Sequence, residues 1–204
     1  MNDKSLLRGW PLVAVMAFVI VAASLAILLT GEPIDSLHRV IRVTARSSIA
    51  LFLLAFTAAA LWQFWPNAWT RWQRQNRRYL GVSFAASHAV HLVAILELQR
   101  LAPQEVGANA ITWIGGGLAY AFIAAMTLTS FDRTARMIGP RAWKILHTTG
   151  SYYIWLIFAG SYVTRAISTP AYIPVATLVV GALALRIAAR IARSHGQQPL
   201  AVTS

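Results

Sequence analysis

Two histidines stand one helical turn apart in an apolar stretch, His88 and His91 in HAVH, and a third, His147, opens another apolar stretch. Residues three apart share one helix face. An imidazole inside a bilayer is costly unless something binds it, which makes intramembrane histidines candidates for function. The bland alternative for one such residue is a hydrogen bond across helices. Two on one face, with a third on another helix, point to a ligand. Imidazole suits iron, zinc and copper, and axial histidine is a common way for protein to hold haem iron. Zinc or copper transport would call for carboxylate or sulfur partners, and the acids nearest a span (Asp35, Glu97 and Asp132) all lie near its ends. Cysteine is absent, which excludes thiolate haem, iron–sulfur clusters, zinc–sulfur sites and disulfides.

The elements that carry these histidines are transmembrane helices. Of 204 residues, 57% are hydrophobic and 12% charged, with a mean hydropathy of +0.57; a soluble domain carries about 25% charged residues. A spanning helix needs about 20 mostly apolar residues. Six segments qualify: 9–30, 47–65, 79–99, 111–130, 143–164 and 171–189. The first is longer than the apolar core of a signal peptide, about 7–15 residues. It ends at Gly31-Glu32-Pro33 without a small-residue cleavage site, so it reads as a retained helix.

The expectation is therefore an all-α polytopic membrane protein. One six-helix transmembrane domain covers residues 1–194, and a disordered cytoplasmic tail covers 195–204. Lys and Arg follow topology: thirteen lie on the side shared by both termini (Lys4, Arg8, Arg71, Arg74, Arg77, Arg78, Arg133, Arg136, Arg141, Lys144, Arg186, Arg190, Arg193), and five on the other (Arg39, Arg42, Arg46, Arg100, Arg165). The positive-inside rule places both termini in the cytoplasm. Bilayer contact and anionic headgroups explain the net charge of +12, so nucleic acid is not expected as a partner.

The loop with Trp69 and Trp72 among arginines, close to Trp62 and Trp65, reads as an interfacial belt. SFDRTARMIGPRAWK reads as a short amphipathic helix ended by Gly139, with Pro140 starting the next. These two basic loops could also dock an acidic electron donor. Gly115 to Gly117, inside a span, read as close helix packing.

At 1.5 Å per residue, His88 lies about 15 Å beyond Arg78, His91 about 20 Å beyond it, and His147 about 9 Å beyond Arg141. Axial ligands of one haem should share a height. The mismatch is about 6 Å for His88 with His147 and about 11 Å for His91 with His147, which favours His88. His38, in the outer loop, and His195, in the tail, are weaker candidates. Ser83 and Ser87 share the broad side of His88 and His91 and could bond a ring nitrogen or a propionate.

RRYLGVSFAASHAVHLVAILEL resembles the third helix of the ferric reductase-like transmembrane family, and SFDRTARMIGPRAWKILHTTGSYYIWLIFA resembles its fourth loop and fifth helix. TARSSIALFLLAFTAAAL resembles the second helix of the MsrQ-type branch, whose haem-bearing membrane subunits pass electrons to a periplasmic methionine sulfoxide reductase. The resemblance covers residues 44–165 and rests mainly on the RR-x-LG…H spacing and the RxWKxLH run. It implies that His91 and His147 are haem ligands. The family's second helix 5 histidine, thirteen residues on, is here Gly160, and His88 is an addition to the pattern. This departure puts two-haem conduction in doubt; the reading is one b-type haem held by His147 with His91, which the resemblance favours, or His88, which depth favours.

In that reading Arg77, Arg78 and Lys144 could pair with haem propionates, and Trp143, Trp155, Tyr152 and Tyr153 could pack on the porphyrin, although topology and ordinary packing explain the same residues. The chain would be a membrane b-type cytochrome of the bacterial-type inner membrane, the electron-transfer subunit of an oxidoreductase. It would take electrons from a cytoplasmic flavin reductase, which brings FMN or FAD, or from quinol. The acceptor could be a periplasmic reductase, a quinone or ferric iron. Two non-redox readings stand beside it: a small transporter whose histidines bind substrate or protons, and a scaffold that kept the fold and lost haem.

Overall fold

The computed structural model describes residues 7–107 and 110–196, without the side chains of Ile111, His195 and Gly196. Among the described residues every element is helical and no strand forms. The order is α1 (Gly9–Leu29), α2 (Pro33–Phe64), α3 (Ala68–Gln75), α4 (Arg77–Leu101), α5 (Pro103–Val106), α6 (Ala110–Leu128), α7 (Asp132–Ser168), a 3-10 turn (Pro170–Tyr172) and α8 (Ile173–Gly196).

Local chemistry sets the boundaries. Pro33 occupies the first turn of α2, where its missing N–H costs nothing, and Asp35 complements the helix dipole. Asn67 and Thr70 cap α3 reciprocally, each side chain accepting from the other's backbone N–H. Gly139 breaks α7 with φ 75° and ψ 164°, a conformation open essentially to glycine alone, and Pro140 restarts the helix. The short helix ended by Gly139 is therefore present as the sequence suggests.

Two boundaries differ from expectation. The second apolar segment, 47–65, is the later part of a helix that already begins at Pro33, so His38, Arg39, Arg42 and Arg46 are helical and not in a loop. Leu37 and Val40 are buried there with Ala94, Leu98 and Ala102, and that small core holds the extension in place. At the other end of the chain α8 runs to Gly196, so residues 195 and 196 are helical; the rest of the expected tail, 197–204, lies outside the described residues.

Four helical segments are long and apolar enough to cross a membrane: α1, α2, α4 and Pro170–Ser194. Helices α6 and α7 qualify only as a pair, meeting at 113°. The first half of α7 contributes Arg133, Arg136, Arg141 and Lys144, and its centre carries His147, Thr148, Thr149, Ser151, Tyr152 and Tyr153, which dilute its apolar character.

The α2–α4 pair is the most extensive helix contact. Helix α1 packs on both, α8 joins α2 to α7, and α6 lies on α7. The α2–α4 seam is polar at its centre. Ser87, fully buried, meets Ser47 Oγ at 2.8 Å, accepts from Ser48 Oγ at 2.9 Å and donates to the Thr44 carbonyl at 3.2 Å. Small hydroxyl residues let two backbones approach and satisfy each other across the seam. Below it lies an aromatic cluster of Phe52, Phe56, Phe84 and Phe158, with Phe52 and Phe158 centroids 5.3 Å apart. Interhelical hydrogen bonds inside membranes are worth about 0.6 kcal/mol on average. Ser87→Ala, which removes three contacts, should lower the detergent unfolding midpoint by a few degrees, and Ser47→Ala by clearly less, in a thermal melt followed by circular dichroism.

Candidate functional site

Helix α4 presents His88 and His91 as a stacked pair with ring centroids 5.1 Å apart. His91 Nδ1 lies 3.0 Å from Thr44 Oγ1 on α2. The threonine hydroxyl directs its proton to the Val40 carbonyl at 2.7 Å. The oxygen therefore accepts from His91, which assigns the proton to Nδ1 and leaves the Nε2 lone pair available to a metal. A tether of this kind is what a ligating histidine uses to fix its ring. His88 lacks one: its Nδ1 is buried with no hydrogen-bond partner. Its ring lies among Phe84 at 5.3 Å, Tyr120 at 4.9 Å and Phe158 at 5.9 Å. An unmet buried polar atom costs about 1–3 kcal/mol, and a bound electrophile would relieve it.

His147 lies elsewhere, at the end of the bundle that carries α3 and the α6–α7 turn. Its ring stacks on Trp143 with centroids 4.1 Å apart, and Nε2 lies 3.0 Å from Thr129 Oγ1. Thr129 gives its own proton to the Ala125 carbonyl at 2.7 Å, so here Nε2 is the donor and Nδ1 carries the lone pair. For Nε2 to meet a metal, His147 must leave Thr129.

His147 lines a cavity of about 730 Å³ bounded by α2, α4, α6, α7 and α8. That volume is in the range of small-molecule and cofactor pockets, about 300–1,000 Å³. Ala55, Ala59, Gly81 and Ala85 thin one wall, and Phe52, Phe84, Ile123 and Ile154 supply apolar surface. Arg77, Arg78, Lys144, Arg186 and Arg193 also line it, against a single carboxylate, Asp132. The cavity thus has an apolar body with a strongly cationic lining, suited to a large amphiphile bearing negative charge. His88 and His91 are not among its lining residues; His88 reaches it only through Phe84, one turn earlier on α4.

The residues singled out from sequence separate accordingly. Arg78 and Lys144 both line the cavity, but Arg78 Nη1 is bound to Asp132 Oδ1 at 2.7 Å and its guanidinium lies over Trp10 and Tyr79. Of the four aromatics, Trp143 lines the cavity. Trp155 Nε1 donates to the Val179 carbonyl, Tyr153 to the Gly115 carbonyl, and Tyr152 lies beneath Arg186. A Cβ at Gly115 would meet only ordinary contacts, Ile157 at 3.7 Å and Tyr153 at 3.9 Å, and one at Gly116 or Gly117 would meet nothing within 4 Å, so the triplet does not mark the close helix packing expected of it. Ser87 bonds α2 and no imidazole, and Ser83 Oγ is buried without a partner. His38 Nε2 lies 3.6 Å from Glu105 Oε2, at the opposite end of the bundle. Sequence reasoning assigned Arg186 and Arg193 to topology alone. Their spacing of seven residues, which puts both on one helix stripe, was the available signal.

Among the described residues no group of three or more His, Cys, Asp or Glu side chains is placed to hold a metal ion. A porphyrin asks less of the protein, because it supplies four of the iron's ligands itself. No family model, curated protein or solved structure gives a match to this chain.

The tautomers can be read directly. In the ¹⁵N-histidine spectrum of the detergent-solubilised protein, His91 should show the Nδ1–H form at neutral pH. Thr44→Val, which keeps the volume and removes the acceptor, should shift it toward a tautomer mixture.

Proposed function

We propose that this chain is a membrane b-type cytochrome of the ferric reductase-like, MsrQ-like kind, serving as the electron-transfer subunit of an oxidoreductase. The observation that carries the reading is the cavity: His147 on its wall, the α4 imidazoles behind its Phe84 wall, and five cations lining it. What supports haem is that the apolar wall suits a macrocycle and the cations suit two propionates; among the described residues His147 is the imidazole on that wall, and the unpartnered His88 Nδ1 lies outside it. His147, together with His91 or His88, would hold the haem. His91 has the tether and the family's position; His88 has the better height and the wall contact.

Bound there, haem supplies one-electron exchange between ferric and ferrous states. The chain's part is to exclude water with Phe52, Phe84 and Ile154, to orient His147 by stacking on Trp143, and to balance the carboxylates with the cationic lining. With no nucleotide-binding domain in the described helices, electrons would come from a cytoplasmic flavin reductase with FMN or FAD, or from quinol. They would leave to a periplasmic reductase, a quinone or ferric iron. The matching topology has six spans, with α6 and the part of α7 after Pro140 each crossing, and both termini in the cytoplasm of an inner (plasma) membrane.

A second reading, a haem-free scaffold or small transporter, is favoured by two observations. His147 Nε2 is already engaged by Thr129, and Gly160 stands where the family keeps another histidine.

An absorption spectrum of the purified protein before and after dithionite separates the two. A sharp Soret band with reduced α and β bands, lost in His147→Ala and in one of His88→Ala and His91→Ala, is the expected result. A colourless wild type that stays empty when haem is supplied would sink the cytochrome. Cysteines placed singly in 69–75 and 133–138 should react with impermeant maleimide only from the side that carries both termini.

A further inference from the structure

Arg186 lines the cavity from α8, although by sequence it reads as a topology residue. Its guanidinium lies 4.1 Å from the centroid of Phe56 and 4.9 Å from that of Tyr152, and Nη1 donates to the Phe56 carbonyl at 2.9 Å. Two aromatic rings and a carbonyl therefore fix the group in place. An arginine has five N–H donors, and the other four of Arg186 have no acceptor among the described residues. Arg77, at the start of α4, lines the same cavity as Arg186. Among the described residues neither Arg77 nor Arg186 has a carboxylate within ion-pairing distance, and the cavity's one carboxylate, Asp132, is bound to Arg78. Like charges held together beside an apolar wall are unfavourable unless an anion joins them.

We propose that Arg186 and Arg77 form an oxyanion site on the cavity wall, taking a carboxylate or phosphate of an amphiphile whose apolar body lies against Phe52, Phe84 and Ile154. Resting on the cytochrome reading, the oxyanion is a haem propionate. Arg186 joins Arg78 in that role: Arg78 gives Nη1 to Asp132 but keeps a buried Nε without a partner. A phospholipid phosphate is the other source of the same chemistry.

Haem and its dimethyl ester, which lacks both negative charges, separate the cases when titrated into the haem-depleted full chain in detergent. Wild type should bind haem about tenfold or more tightly over the ester, the scale of a charge-assisted hydrogen bond. Arg186→Gln should abolish most of that preference, Arg186→Lys should keep part of it, and Arg190→Gln, outside the cavity lining, should leave it intact. Arg77→Gln gives a second route to the same loss if Arg186→Gln is not monodisperse on size exclusion. Equal binding of both porphyrins by wild type, or a full preference in Arg186→Gln, overturns the site. If wild type takes up neither porphyrin, the cytochrome reading fails separately and phosphorus analysis decides. Tightly held phospholipid that is lost in Arg186→Gln sustains the oxyanion site, and equal phosphorus in both proteins overturns it.

Discussion

The rest of the bundle depends on the way α2 and α4 satisfy each other's polar groups where no water can. Ser47, Ser48 and Ser87 exchange hydrogen bonds across the seam, and Thr44 bonds back to its own helix while accepting from His91. Each hydroxyl has a partner that lipid could not supply. Because these side chains are small, the two helices approach closely, and the same pair can carry both the histidine face and the aromatic cluster beneath it. Helix α1 lies along this pair, and α8 packs on α2 and α7 and lines the cavity directly.

The cavity follows from what the seam leaves unfilled toward the Arg-rich end. There α4 offers Gly81 and Ala85, α2 offers Ala55 and Ala59, and α7 begins anew at Pro140. Small residues on two helices and a restart on a third create volume that phenylalanines close on one side. Protein groups hold several of the cations: Asp132, Trp10 and Tyr79 hold Arg78, the Ala189 carbonyl takes Arg193, and Phe56 and Tyr152 hold Arg186.

Much of this is legible in the sequence. The apolar runs locate the helices, Gly139-Pro140 locates the break, and the histidine spacing gives a shared face. What sequence could not supply was pairing. A run of arginines looks the same whether it answers headgroups or a cavity, so Arg186 and Arg193 passed as topology. The early start of α2 was hidden because its first turns are amphipathic, and a search for apolar length overlooks residues whose apolar side faces only a small core of Leu37, Val40 and Ala94. The tautomers of His91 and His147 were equally out of reach, since each depends on a threonine from a neighbouring helix.

The glycine break in α7 has an evolutionary meaning. Between Phe131 and Ile138 the chain forms a short segment that supplies Asp132 and Ala135 to the cavity, and Gly139 uncouples it from the helix that carries His147. Exchanges in those eight positions would alter this part of the cavity wall while the helix after Pro140 keeps its register. One inner architecture can thus be fitted with different doorways, and diversification among descendants of this chain should concentrate there.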